Sequence, residues 1–113
     1  MPNVSLLVPA YNAGSHLTSV IQRIPKAAWD SIRTIWVIND GSSDNTARVI
    51  TELAGTNPKI KGLSHECNQG YGPTVREGLK AIRNEGCDYA ICLHADGQYP
   101  PESVPEFLQT AQA

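Results

Sequence analysis

The chain has 113 residues, which suits one domain or part of one, and 41% of them are apolar, ordinary for a globular fold. Nine Lys and Arg against eleven Asp and Glu leave a formal charge of −2, which excludes a strongly cationic nucleic-acid surface. No apolar run approaches the roughly 18 residues of a membrane span, Met-Pro-Asn-Val lacks the start of a signal peptide, and three cysteines without a C-x-x-C pair read as reduced, cytoplasmic thiols.

Val4 to Val8 reads as a first buried strand. Leu17, Val20, Ile21 and Ile24 keep helical spacing, and Pro25 stops that helix. Ile35 to Ile38 is a second buried strand, with Trp36 inside it as a core residue. Trp29 falls in the polar connection before it. Ser42, Ser43 and Asp44 offer caps for a second helix, with Ala47, Ile50, Leu53 and Ala54 on one face and Gly55 at its end. Lys59 to His65 alternates weakly around Gly62 and predicts an edge strand. Pro73 opens a third helix with Val75, Leu79 and Ile82 on its core face, and Gly86 caps it. Tyr89 to Leu93 is a further buried strand, with Cys92 as inert packing. A short fourth helix is expected after Pro100-Pro101, using Val104 and Leu108. The alternation predicts a three-layer αβα fold around a mostly parallel sheet. Ligands of such sheets bind beyond the carboxyl ends of the strands.

The segments that follow the strands carry the chemistry. They are Pro9 to Gly14, Asn39 to Thr46, Asn68 to Pro73 and His94 to Pro100, all expected on one edge of the sheet. Asp40 ends a strand, where a carboxylate accepts from an N–H of a heterocyclic base or caps the next helix. Ser42, Ser43 and Asp44 supply caps more directly, which favours the ligand role. His94, Asp96 and Gln98 alternate, so in extended chain they share a face and can converge on Mg²⁺ or Mn²⁺. His94 taken alone reads better as a strand-end imidazole bonded to backbone, while for Asp96 the two readings tie. Gly70-Tyr71-Gly72 either presents helix N–H groups to an anion or serves a tight turn. Arg76 and Lys80 share a helix face and either reach phosphate or are solvated. Tyr11, Tyr71 and Tyr99 either stack on a ring or pack, with Tyr11 the favoured ligand contact.

These segments, in this order, resemble family-2 glycosyltransferases of the GT-A nucleotide-sugar fold. The resemblance rests on Val8 to Asn12, on Val37 to Thr46, on Asn68 to Gly70 with Arg76 and Gly78, and on Ala95 to Glu102. The last stretch looks most like the dolichol- or polyprenyl-phosphate mannosyltransferase branch. The resemblance implies that Pro9, Ala10, Tyr11, Asn12, Asp40, Gly41, Ser42, Asn68, Gly70, Arg76, Ala95 and Asp96 bind a nucleotide-diphosphate sugar, with Asp40 on the base. It implies a divalent metal, Mg²⁺ or Mn²⁺, on Asp96 and Gln98, with His94 where the family usually has its first acid. Ala13 stands where many members carry Glu. The implied reaction is inverting sugar transfer to a polyprenyl phosphate, at the cytoplasmic membrane face.

In the family the acceptor half and the catalytic base lie further along the chain, so the resemblance implies a base downstream of Ala113. Residues 1–113 are therefore expected to be one partial domain, the donor-binding half, inactive alone and self-associating through an exposed sheet edge. Two other readings are a nucleotide-binding module that transfers nothing and a receiver-like signalling domain. The receiver needs an acidic pair after the first strand and an Asp ending the third. Pro9-Ala10 and His65-Glu66-Cys67 stand there instead.

Overall fold

The structure, a computed structural model, describes residues 4–94. Four strands, β1 (Val4–Ala10), β2 (Ile32–Asp40), β3 (Ile60–His65) and β4 (Tyr89–Cys92), form one parallel sheet in the order β3-β2-β1-β4. Helices α1 (Leu17–Gln22), α2 (Lys26–Trp29), α3 (Thr46–Thr56) and α4 (Tyr71–Asn84) fill the connections. The direction of winding reverses between β1 and β4, so a switch point falls at the end of β1.

The continuous apolar runs are explained by cover on both faces. Leu6, Val8, Ile35 and Val37 face one core with Leu17, Ile21, Val49 and Ile50 of α1 and α3. Leu7 and Ile38, of the opposite parity, face a second core with Ile82 of α4. The expected three layers and parallel sheet are both present, and among the described residues β3 is an edge strand, as its weak alternation predicts.

Several local expectations are corrected. A one-turn helix, α2, occupies the stretch read as a polar connection, and its Trp29 packs on the larger core. Gly55 lies inside α3, which runs to Thr56, and Ala47 is exposed while Val49 is buried. Helix α4 starts at Tyr71, and its inward residues are Thr74, Gly78 and Ile82, with Leu79 46% exposed. The helix turns that face inward because Gly78 is small enough to sit on Leu7. Trp36 is half-buried, because its indole N–H reaches out to donate to Glu85. Of the run read as buried, Leu93 is buried in the larger core, but β4 itself is not: Cys92 is exposed and Tyr89 is 48% exposed. It pairs with β1 alone among the described residues. Gly86, with φ of 79°, follows α4 as expected and sends its N–H back to Arg83 O. The helix expected after Pro100-Pro101 lies outside the described residues.

Gly78 fixes how closely α4 approaches the sheet. A Cβ there would fall 3.0 Å from Leu7 Cδ2 and nearer still to Cδ1. Leu7 is fully buried and cannot swing away. Overpacking of this kind costs about 1–3 kcal/mol, and alanine's better helix propensity offsets about 1. Gly78→Ala is therefore expected to lose up to about 2 kcal/mol. A lower urea midpoint at constant slope is the readout. An unchanged midpoint would mean that α4 can lift off Leu7 freely.

Candidate functional site

Because all four strands run parallel, the segments after β1, β2 and β3 meet at one edge of the sheet. They enclose a cavity of about 240 Å³ there. Pro9, Ala10 and Tyr11 line it from the end of β1, and Asp40 from the end of β2. Asn68, Gly70, Tyr71 and Thr74 line it from the start of α4. Ala10 is buried and Tyr11 is 53% exposed, so the β1 side offers an apolar floor and an exposed ring.

Asp40 is the charged centre of this wall, and it is 4% exposed. Its Oδ1 accepts from Gln69 N–H at 2.8 Å and faces His65 Nδ1 at 2.9 Å. Its Oδ2 accepts from Gly70 N–H at 2.9 Å and from the Asn68 amide at 3.1 Å. A carboxylate offers about four lone-pair sites, and four donors fill them. Burial by itself pushes the Asp40 carboxyl up, but His65, Gln69, Gly70 and Thr74 outweigh it and hold the group below its ordinary 3.8. Of the two readings of the Gly70-Tyr71-Gly72 segment, the turn is present at Gly70, and the carboxylate bonded just ahead of α4 is the chain's own Asp40, seated on the amides of Gln69 and Gly70. Gly70, at φ 100°, turns the chain into α4, and Thr74 donates back to Gly70 O at 2.7 Å.

A second network ties the β1 and β2 loops together beside the cavity. Asn12, at φ 50°, donates its N–H to Ser42 Oγ at 2.9 Å and accepts Ser43 N–H at 2.9 Å. Ala13 N–H donates to Thr46 Oγ1 at 3.0 Å, and Gly14 N–H to Asp44 Oδ2 at 3.1 Å. The Asp44 carboxyl lies below its ordinary value chiefly because the Thr46 hydroxyl donates to it. Asp44 also accepts Thr46 N–H at 3.0 Å, at the start of α3.

The structure therefore sorts the residues singled out in the sequence. Pro9, Ala10, Tyr11, Asp40, Asn68 and Gly70 converge on one cavity. Asn12 and Ser42 stitch two loops together. Gly41, at φ 67°, allows the 67–68 backbone to pass against it. Arg76 is not brought to the cavity; it lies in a separate groove with Glu77 and Lys80. Ala95, Asp96 and Gln98 lie outside the described residues, and so does Ala113, beyond which the catalytic base is expected. His94 stacks on Tyr71, with ring centres 5.7 Å apart and planes within 2°. Among the described residues no three His, Cys, Asp or Glu side chains cluster as a metal site.

Sequence reasoning passed over three residues of this region: Thr74 lines the cavity beside Tyr71, while His65 and Glu77 stand behind Asp40. One signal was available for His65: strands in parallel register carry Asp40 and His65 side by side at their ends. Register is not visible before pairing is known.

The family model described as glycosyl transferase family 2 matches residues 5–113. A UDP-N-acetylglucosamine–dolichyl-phosphate N-acetylglucosaminyltransferase of Methanococcus voltae is 30% identical over 94% of this chain and 46% of its own length. An undecaprenyl-phosphate 4-deoxy-4-formamido-L-arabinose transferase of Shewanella sediminis is 33% identical over 96% of this chain and 33% of its own. The chain thus spans less than half the length of these relatives. Among solved structures, a Pyrobaculum calidifontis mannosyltransferase with GDP-Man and Mn²⁺ matches with a TM-score of 0.71 and 20% identity, over 90% of this chain and 30% of that one. TarS of S. aureus with UDP matches with a TM-score of 0.67 and 21% identity, over 83% and 27%. The fold is therefore the GT-A fold.

Proposed function

The chain belongs to glycosyl transferase family 2, and from that membership we propose that its cavity holds the nucleoside diphosphate of a sugar donor. The observation that carries this reading is the convergence of Pro9–Tyr11, Asp40, Asn68, Gly70 and Tyr71 on one cavity beyond the carboxyl ends of the strands. Ala10 and Pro9 form the apolar floor against a base, and the exposed Tyr11 ring stacks on it. Asp40, saturated by its own chain, shapes the wall by holding the Asn68–Gly70 turn. Its expected hydrogen bond to the base would require one of its oxygens to give up a donor.

Asp96, Gln98 and His94 are the residues proposed to hold a divalent cation, which when bound supplies Lewis-acid neutralisation of the diphosphate leaving group. A carboxylate, an amide oxygen and an imidazole nitrogen form a donor set that suits Mn²⁺ better than Mg²⁺. Tyr71, stacked on the His94 ring, links His94 to the cavity wall.

For the whole protein the proposed activity is inverting sugar transfer to a polyprenyl phosphate, at the cytoplasmic face of a membrane. The Methanococcus voltae and Shewanella sediminis relatives, named for dolichyl and undecaprenyl phosphate, support the acceptor class. No helix among the described residues is long and apolar enough to cross a membrane. The chain is proposed to be the donor-binding half of that domain, with the catalytic base supplied from beyond Ala113.

Isothermal titration of the chain with GDP and with UDP, each with and without Mn²⁺, tests the reading. Tight binding of one nucleotide that depends on Mn²⁺ is expected. A folded chain that binds neither nucleotide under any of the four conditions overturns it.

A further inference from the structure

The proposed transfer uses no group on β3, yet the end of that strand carries a buried, doubly contacted imidazole. His65 has a side chain only 5% exposed. Its Nδ1 lies 2.9 Å from Asp40 Oδ1, and its Nε2 contacts Glu77 Oε2. Both ring nitrogens therefore face carboxylate oxygens. A neutral imidazole has one N–H and one lone pair. Either neutral tautomer would aim that lone pair at a carboxylate. Only the doubly protonated ring donates in both directions.

Asp40 faces the ring from β2 and Glu77 faces it from α4. Arg76 and Lys80 share the outer groove of α4 with Glu77, which is 42% exposed. Lys61, earlier on β3, lies over the Trp36 ring, 5.6 Å from its centre. Helix α3 packs against β3 where Ile50 meets Gly62, and its charged pair, Arg48 and Glu52, is 72% and 68% exposed. Glu66, next in the chain, is exposed.

We infer that His65 is a positioning residue: clamped as an imidazolium between Asp40 and Glu77, it orients the Asp40 carboxylate and thereby fixes the Asn68–Gly70 turn that walls the cavity. The first half concerns the turn itself; the link to a nucleotide rests on the proposed function. The charge direction agrees. The bonds to Asp40 and then Glu77 raise the His65 pKa above its ordinary 6.5, more than burial lowers it. A raised value in the folded chain means that the ring's contribution is complete below about pH 6.5. It fades as pH climbs through the raised value. Asp40, held below its ordinary 3.8, sets the acid limit: its contribution fades as pH falls through its own lowered value. Between these limits both groups are charged and the turn is held.

The test follows the ring and the turn in the same sample. Ring ¹⁵N shifts report how many protons His65 carries. Exchange protection of the Gln69 and Gly70 amides, corrected for intrinsic rate, reports the turn. A doubly protonated ring is expected at neutral pH. Protection of both amides is expected to fall roughly ten- to a hundredfold as the ring loses its proton. In Glu77→Gln, which removes a half-exposed charge and keeps the shape, that fall should move to lower pH together with the ring titration. A singly protonated ring at neutral pH overturns the inference, as does protection that ignores the ring's titration. Titration with GDP and UDP across the same pH range is the second arm. Affinity that falls with the ring proton extends the positioning role to the cavity, and affinity that stays flat overturns that part. A chain that binds neither nucleotide refutes the proposed function alone, because the amide measurement needs no ligand.

Discussion

Asp40→Ala is expected to lower folding stability by about 3–5 kcal/mol and to remove measurable nucleotide binding. The size follows from what the carboxylate holds. Its loss strands the amides of Gln69 and Gly70, the Asn68 side chain and one face of the His65 imidazolium. Two backbone N–H groups and the Asn68 amide lose a charged acceptor, and His65 keeps only the half-exposed Glu77 as its counter-ion, which together dominate the cost. In a domain with roughly 5–15 kcal/mol of total stability, the variant sits near the edge of folding. Its melting temperature should fall on the order of 15–30 °C. Urea and thermal denaturation, measured beside nucleotide titration, decide between two roles for the residue. A carboxylate kept open for a base would lose binding with little change in stability. One saturated by its own chain loses both. An unchanged urea midpoint would show that the four protein donors contribute nothing and would return Asp40 to direct recognition of the base.

Gly41→Ala is expected to cost about 2–5 kcal/mol and to weaken nucleotide binding beyond that loss. Gly41 has φ of 67°, where an L side chain carries a penalty of about 1–2 kcal/mol. A Cβ would also fall 2.8 Å from Cys67 O and nearer to Cys67 C and Asn68 N. These are backbone atoms, so relief requires the 67–68 segment to move, at about 1–3 kcal/mol. That movement draws Asn68, Gln69 and Gly70 away from Asp40. Affinity should therefore fall even where the variant is fully folded. Normal affinity in a folded Gly41→Ala variant would mean that the Asn68–Gly70 turn does not shape the cavity.

The strands that run through the interior, β1 and β2, were legible because burial on both faces leaves a continuous apolar run. Leu6, Leu7 and Val8 need no partner identity to read as buried. Turn chemistry was legible for a related reason: Gly41, Gly70 and Gly86 mark positive-φ positions by residue type. Helix faces were less so. The face of α4 was read through Val75, Leu79 and Ile82; Ile82 is buried and Val75 packs on that core, yet Leu79 is 46% exposed and a glycine, Gly78, faces the sheet, because close approach matters there more than apolarity. Strand β4 was read as buried from composition, yet Tyr89 and Cys92 are exposed. Strand order decides burial, and order is not written in any one segment.

Local sequence was enough for the αβα class, the parallel sheet, the placing of chemistry-bearing segments at the strands' carboxyl ends and the family to which those segments point. Periodicity, residue type and motif spacing are local properties, and each survives without knowledge of neighbours. What Asp40 does became visible only in three dimensions. Parallel register sets His65 beside it, the Gly41 turn brings the 67–70 segment over it, and α4 places Glu77 behind the ring. A carboxylate's role depends on which donors surround it, and those donors come from parts of the chain 25 to 30 residues away.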